Sequence, residues 1–172
     1  LGECYRKGNP HYDQRSTVPA IVDVTTGAVV NNDYHDLTTE LETAWKKYFR
    51  PDAPDLYPEA LHDDIDALND IIYADVNLAV NLAALVTSQK DYEFYYNKVF
   101  DRLDWLEKRL SSRRYLFGDT ITDPDIRLYV TLARFDLVFY QKYYVNKKRL
   151  VDYPNLWNYA KDLYSHPAFG KN

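Results

Sequence analysis

The sequence contains little that could form a disulfide, bind a metal or cross a membrane. Its 172 residues include one cysteine, Cys4, four histidines and no methionine. One cysteine cannot form an internal disulfide, which favours a reducing compartment, and we expect a cytoplasmic protein. The histidines lack the close spacing of metal ligands, so we predict no metal site. No apolar run is long enough to span a bilayer, so we expect no membrane partner.

The sequence also lacks an excess of positive charge. Its formal net charge is −5, which argues against a general surface for nucleic acid. Hydrophobic residues make up 46% of the chain, and 17 residues are tyrosines. This content supports a packed core, in which tyrosine serves either for packing or as the lining of a site for an aromatic ligand.

The segment from Thr17 to Asn31 predicts a β-hairpin entered through a proline. The β-branched Val18 precedes Pro19 and is therefore restricted to extended backbone. Residues 20–24 then predict a strand, residues 25–28 a turn and residues 29–31 the returning strand. Residues 31–33 offer side chains that can cap a helix, which we expect to run to about Tyr48.

This hairpin has no evident partner strand earlier in the sequence, because residues 1–16 show no clear periodicity. Two strands alone make a marginal sheet. The first residue is Leu1, whereas a complete translation product begins with Met. We therefore expect additional polypeptide upstream of Leu1.

The rest of the sequence predicts helices. Two prolines and two aspartates in residues 50–55 predict a linker. Apolar residues at helical spacing then predict a long helix over residues 58–88 and another over residues 92–110. Asn77 and Asn81 interrupt the first apolar stretch. Each is either a hydrogen-bonded core amide or part of a pocket.

A capping box is predicted at residues 122–125. Thr122 can cap a helix, Pro124 falls in its first turn, and Asp125 can bond back to the Thr122 N–H. Asp125 therefore has a structural role in this interpretation, not a catalytic one. A last helix is predicted to begin near Tyr153 and to end near His166.

Short motifs follow one another in a fixed order along nearly the whole chain: Asn9-Pro10-His11-Tyr12, Arg15, Thr17-Val18-Pro19, Val30-Asn31-Asn32, Pro54-Asp55-Leu56-Tyr57-Pro58, Arg114-Tyr115-Leu116-Phe117-Gly118-Asp119, Arg134-Phe135-Asp136 and Asp152-Tyr153-Pro154-Asn155-Leu156-Trp157. In these motifs the sequence resembles the glutathione transferases, and most closely their xi class, the glutathionyl-hydroquinone reductases.

The resemblance implies an α+β fold that is mostly α-helical. Residues 1–49 would form the C-terminal half of a thioredoxin-like domain, with a β-hairpin plus a helix. Residues 50–57 would be a linker, and residues 58–172 an all-helical C-terminal domain. The resemblance further implies a homodimeric enzyme that uses glutathione as co-substrate to reduce glutathionyl-hydroquinone conjugates. The family's catalytic cysteine lies in a Cys-Pro-Trp motif that this sequence does not contain, so we expect it upstream and assign no catalytic residue here.

The glutathione-binding residues are also assigned by resemblance. Val18, before a cis Pro19, would pair with the glutathione backbone, and Arg15 belongs to the same set. The γ-glutamyl end would contact the positions where the family has Asn-Glu-Ser, which here are Asn32, Asp33 and Tyr34.

The substrate pocket implied by the resemblance includes Asn81, Phe139, Tyr140 and Lys142. Family tyrosines fall at Asn81 and Phe139, and a family histidine falls at Lys142. Loss of phenols changes hydrogen bonding and proton donation to a leaving group. The departures leave two alternatives open: a binding or scaffold protein that kept the fold without the chemistry, or a helical interaction module.

Overall fold

The computed structural model describes residues 1–170. The chain divides into two compact units between Ala53 and Pro54, at a point inside the predicted linker. The first unit holds a two-stranded antiparallel sheet, and all other regular elements are helical. The predicted fold class, mostly α-helical with one hairpin, is confirmed.

The first unit, residues 1–53, contains two helices, two strands and one 3-10 turn. These are α1 (Gly2–Gly8), β1 (Ile21–Val22), β2 (Val29–Asn31), α2 (Leu37–Thr43) and the 3-10 turn Lys46–Tyr48. Ile21 pairs with Asn31 and Val22 with Val29, so the register shifts by one residue between the two pairs. The predicted hairpin is therefore present. β1 is shorter than the strand predicted over residues 20–24, whereas β2 covers the predicted residues 29–31.

The hairpin turn is stabilised by its own polar groups. Asp23 Oδ1 accepts a hydrogen bond from the Thr25 N–H at 2.7 Å, and the Gly27 N–H donates to the Asp23 carbonyl at 2.7 Å. Gly27 has a φ of +69°, a left-handed conformation that glycine adopts without steric cost. The turn chemistry predicted at residues 25–28 follows from these bonds.

The helix after the hairpin begins later than predicted. Asp33 Oδ1 accepts from the N–H groups of His35 at 2.8 Å and Asp36 at 3.2 Å. These bonds hold residues 33–36 in a turn, so the regular helix starts only at Leu37. It ends at Thr43, and a 3-10 turn covers residues 46–48 in place of a continuous helix.

The second unit is entirely helical in its described residues. Its elements are a 3-10 turn (Glu59–Leu61), α3 (His62–Ile72), a π-helical segment (Tyr73–Asn77), α4 (Ala79–Leu85), α5 (Gln89–Arg109), α6 (Asp123–Leu132), a second π-helical segment (Phe135–Phe139), α7 (Tyr140–Lys142), a 3-10 turn (Leu150–Asp152), α8 (Pro154–Ser165) and α9 (Pro167–Gly170). Fully buried Phe100, Leu103, Leu128, Leu156 and Leu163 belong to its core.

The predicted long helix over residues 58–88 is interrupted by a π-helical segment. The Leu78 N–H bonds the Tyr73 carbonyl at 2.8 Å, a spacing of five residues. Asn77 lies in this segment and donates its amide to the Arg127 carbonyl at 3.0 Å and to Thr131 Oγ1 at 2.6 Å. Asn77 is therefore a hydrogen-bonded packing amide that joins the segment to α6.

Residues 1–170 contain no helix with both the length and the apolar character needed to span a membrane.

Candidate functional site

The segment around Val18 leaves backbone groups without internal partners. The Val18–Pro19 peptide bond is cis, as the resemblance implies. The Val18 side chain is 76% exposed, and within residues 1–170 its N–H and C=O form no hydrogen bond. A residue with both groups free can pair with another peptide, as an edge strand does.

Two tyrosine hydroxyls fix this segment from the chain's first helix and the loop after it. Tyr5 donates to the Thr17 carbonyl at 2.9 Å, and Tyr12 donates to the Arg15 carbonyl at 2.9 Å. The two rings stack with centroids 4.5 Å apart. Neither tyrosine was assigned a role from the sequence, although Tyr12 lies in one of the quoted motifs, because residues 1–16 have no periodic pattern that would have linked them to residues 15–17.

Asn32, Asp33 and Tyr34 lie on the turn between β2 and α2, in the same unit as Val18. All three are exposed. One carboxylate oxygen of Asp33 is occupied by the two backbone N–H groups that it caps. Their assignment to the γ-glutamyl end of glutathione stays a prediction.

The predicted substrate-pocket residues lie on different elements of the helical unit. Asn81 is exposed on α4, and its amide donates to the Asn77 carbonyl at 2.8 Å. Phe139 is buried, Tyr140 is half-buried and Lys142 is exposed. Three cavities of this unit, each with lining that includes residues of α8, contain none of the four in their walls. Their role stays a prediction.

Phe139 is a member of a chain of aromatic contacts, which we term the aromatic circuit. Ring centroids lie 4.9–6.4 Å apart between successive members, which are Tyr92, Tyr96, Phe100, Phe135, Phe139 and Tyr143. The circuit closes where the Tyr92 hydroxyl donates to the Tyr144 carbonyl at 2.7 Å. It joins the start of α5 to the turn after α7. The apolar stripe in the sequence predicted the packing of α5. The closure of the circuit depends on a π-helical segment, which the apolar periodicity did not predict.

Asp125 is the polar centre of the helical unit. Its carboxylate is fully buried and accepts from the Leu116 N–H at 3.0 Å, the Thr122 N–H at 2.8 Å and the Tyr159 hydroxyl at 2.8 Å. Burial raises the pKa of Asp125 more than these hydrogen bonds lower it. The predicted capping box is present, and the carboxylate is fully committed to structure.

The helical unit also contains a large cavity that the sequence did not predict. Its volume is about 1220 Å³, and its lining is mainly apolar. Ile121, Ile126, Tyr129 and Phe169 are among the residues that form its walls. The walls combine the linker end, α6 and the last two helices, which are far apart in sequence.

Groups suited to metal binding are not brought together in the described chain. Within residues 1–170, no cluster of three histidine, cysteine or acidic side chains is placed to hold a metal ion. The His62 ring instead stacks on Tyr57 with centroids 3.9 Å apart. Cys4 lies half-buried in α1.

Comparison with known proteins gives a consistent result. Residues 89–162 match the family model described as the glutathione S-transferase C-terminal domain. The glutathionyl-hydroquinone reductase YqjG of Escherichia coli (strain K12) is 38% identical over 171 residues, which cover 99% of this chain and 52% of that protein. The chain spans about half the length of the curated relatives it matches.

Solved structures of glutathione transferases are also similar to this chain. A glutathione transferase from Gordonia bronchialis superposes with a TM-score of 0.95 at 44% identity, covering 99% of this chain and 53% of the other. A xi glutathione transferase from Phanerochaete chrysosporium gives a TM-score of 0.92 at 39% identity, covering 99% and 55%. YqjG solved with glutathione bound gives a TM-score of 0.92 at 38% identity, covering 99% and 55%.

Proposed function

Because the chain belongs to the glutathione transferase family and matches members of its xi class, we propose that the protein uses glutathione to reduce glutathionyl-hydroquinone conjugates. YqjG is named for this activity and has been solved with glutathione bound. Similarity over nearly the whole of this chain supports the same thiol and the same class of conjugate.

The observation that carries the proposal is the free backbone of Val18. Its unpaired N–H and C=O lie on an exposed segment that Tyr5 and Tyr12 hold in place. A tripeptide such as glutathione offers a backbone amide and carbonyl that can pair with these groups. Main-chain hydrogen bonds of this kind supply affinity that is independent of the protein's side chains.

The reaction proposed is a nucleophilic displacement at the thioether sulfur, followed by a thiol–disulfide exchange. A cysteine thiolate attacks the glutathione sulfur of the conjugate, and the carbon–sulfur bond breaks. The bonding electrons leave with the aromatic ring, which takes up a proton to become the free hydroquinone. The enzyme is left as a mixed disulfide, and a second glutathione thiolate resolves it to oxidised glutathione and the free thiolate. We assign the attacking thiolate to a cysteine other than Cys4, because Cys4 lies in α1 without the helix-start Cys-Pro-Trp context of the family.

Removal of the Val18 N–H tests the proposal directly. Val18→Pro deletes that donor, whereas the matched Val18→Ala removes side-chain atoms and keeps both backbone groups. We expect glutathione to raise the melting temperature of the wild type and of Val18→Ala, with affinity at least tenfold weaker in Val18→Pro. Equal glutathione affinity in all three proteins, each shown to be folded by circular dichroism, would refute backbone pairing at Val18.

A binding protein without catalysis is the second candidate. The observation that favours it is Asp33, where one carboxylate oxygen already caps the turn before α2. The shorter Asp side chain, in place of the family's Glu, has less reach toward an amino group. Glutathione-dependent stabilisation together with no release of hydroquinone from a conjugate would favour this candidate.

The proposed enzyme would act as a homodimer, as the family resemblance implies, and in the cytoplasm, as the single cysteine indicates. Sedimentation equilibrium of the purified protein tests the assembly, and cell fractionation tests the location.

A further inference from the structure

We propose that Tyr144 is a substrate-contacting residue that binds the aromatic ring of the conjugate. This inference rests on the proposed function and goes beyond it, because the resemblance assigns nothing to position 144. The evidence is a backbone conformation that costs free energy, a rigid support for that conformation, and an exposed aromatic side chain.

The backbone at Tyr144 is unfavourable for any residue with a side chain. Its φ is +58°, and within residues 1–170 no other residue except glycine has a positive φ. The left-handed conformation brings Cβ close to the following carbonyl oxygen. A residue in this conformation ends many helices, and the position is usually occupied by glycine or asparagine. The turn after α7 therefore explains the backbone, but it does not explain a tyrosine.

Burial of the Tyr144 side chain does not compensate for the free-energy cost of its left-handed backbone. The Tyr144 side chain is 67% exposed, and within residues 1–170 its hydroxyl has no hydrogen-bond partner. Tyr164 is exposed to a similar extent but lies in regular helix, where an exposed tyrosine carries no comparable penalty. Tyr144 thus combines backbone strain with a side chain that the described fold does not use.

The surrounding structure holds the backbone of this turn in place. The neighbouring Tyr143 packs against Phe139 with ring centroids 5.6 Å apart, and Val145 is fully buried and bonds the Phe139 carbonyl at 3.1 Å. The Tyr92 hydroxyl bonds the Tyr144 carbonyl itself at 2.7 Å. The turn is fixed on both sides of Tyr144, so its ring is presented to solvent from a rigid base.

A rigid, exposed phenol suits the aromatic part of a glutathionyl-hydroquinone. The ring offers a stacking surface, and the hydroxyl can donate to or accept from a hydroquinone oxygen. Tyr144 also follows Phe139 and Lys142, two of the positions predicted to line the substrate pocket. Strained non-glycine residues held by their surroundings are concentrated at ligand-binding sites.

The test compares stability and kinetics in the whole natural protein. Tyr144→Gly removes the ring and relieves the backbone, whereas Tyr144→Phe removes only the hydroxyl. Phe94→Ala is the matched control, because Phe94 is 60% exposed in the regular helix α5. Melting temperature, kcat and KM for a glutathionyl-hydroquinone are measured for each.

We expect Tyr144→Gly to melt at the same temperature or higher while its KM rises about tenfold with kcat little changed, because a contact present in both ground and transition states affects KM. Tyr144→Phe should raise KM about threefold. Phe94→Ala should leave both kinetic constants unchanged.

An active wild type with an unchanged KM in Tyr144→Gly would overturn this inference and leave the proposed function standing. A fall in melting temperature accompanied by a matching fall in kcat would also overturn it, since that pattern indicates a structural role. A folded wild type without activity would overturn the proposed function, and the inference with it.

Discussion

The two units of the chain are stabilised in different ways. Among residues 1–53, all of which the structure describes, only Tyr5 is buried. The helical unit instead buries a continuous apolar core together with the carboxylates of Asp123 and Asp125. Local hydrogen bonds of turns and caps therefore set the shape of the first unit, whereas packing sets that of the second.

The first unit also exposes several large apolar side chains. Val18, Val24, Val30, Trp45 and Phe49 of the first unit are all exposed by more than two fifths of their surface. A segment with few buried apolar contacts and many exposed hydrogen bonds opens at low free energy. We therefore expect amide hydrogen exchange to be faster in the hairpin than in α5 and α6.

Asp125→Ala should have the largest effect on stability, because Asp125 lies in the buried core of the helical unit. The substitution leaves the Leu116 N–H, the Thr122 N–H and the Tyr159 hydroxyl without acceptors in a buried site. Each such group costs about 1–3 kcal/mol, so we expect the free energy of unfolding to fall by about 3–9 kcal/mol.

Urea denaturation followed by circular dichroism measures this loss. Asp101→Ala, at an exposed position on α5, is the matched control and should change stability by no more than about 0.5 kcal/mol. Similar midpoints for the two variants would show that the helical unit does not depend on its buried carboxylate.

Tyr5→Ala should have the next largest effect, because it removes the single buried side chain of the first unit. The ring loses its stacking on Tyr12, and the Thr17 carbonyl loses its donor. A loss of about 3 kcal/mol is expected, comparable to truncation of other buried aromatics. The exchange protection of the Asp23 and Gly27 amides reports on it.

Tyr5→Phe is the control for this experiment, because it keeps the ring and removes only the bond to Thr17. It should cost about 1 kcal/mol. If protection of the hairpin amides survives Tyr5→Ala, the first unit is not stabilised by its one buried residue and the contrast between the units fails.

The smallest expected effect is the loss of the stability that Asp75 and its cationic partners contribute, as the pH is lowered. Partial burial raises the pKa of Asp75, but hydrogen bonds and charge from Lys98 and Arg102 outweigh burial, and the net pKa is lowered. A carboxyl whose folded pKa is lowered contributes stability above its ordinary pKa of about 4. That contribution is lost as the pH falls through the folded value.

Asp75→Asn should therefore cost about 1–2 kcal/mol at neutral pH, and the difference from the wild type should shrink below about pH 4 and vanish below the folded pKa of Asp75. The pKa of Asp23 in the hairpin is also lowered, chiefly by the Thr25 N–H. Asp23 is half-buried, and its hydrogen bonds are ones that an asparagine oxygen can also accept, so Asp23→Asn should leave the acid unfolding curve nearly unchanged. A pH-independent deficit in Asp75→Asn would contradict an ionic role.

Local patterns in the sequence were sufficient for several features. The hairpin and the capping box at Thr122 each depend on residues within a few positions of one another. Their hydrogen bonds are made within the same segment, so sequence alone could place them. The delayed start of α2 was not foreseen, because Asp33 caps a turn that does not continue directly into the helix.

The π-helical segments could not be predicted in the same way. The apolar residues within residues 58–88 recur every three or four positions, so this pattern did not distinguish one continuous helix from a helix with an inserted residue. The segment is supported by bonds from Asn77 to Arg127 and Thr131, fifty or more positions away. The approach of α6, rather than any property of residues 73–77 alone, determines where such a segment is stable.

The sequence by itself determined the fold class, the hairpin after Pro19, the main helices and the family, because each depends on local periodicity, capping or motif order. Only the tertiary structure decided that Asp125 joins the α6 cap to Tyr159, that Val18 has a free backbone, and that Tyr144 is held in a left-handed turn by Tyr92. Those features depend on which distant groups meet, and burial and hydrogen bonding between them are fixed only when the chain has packed.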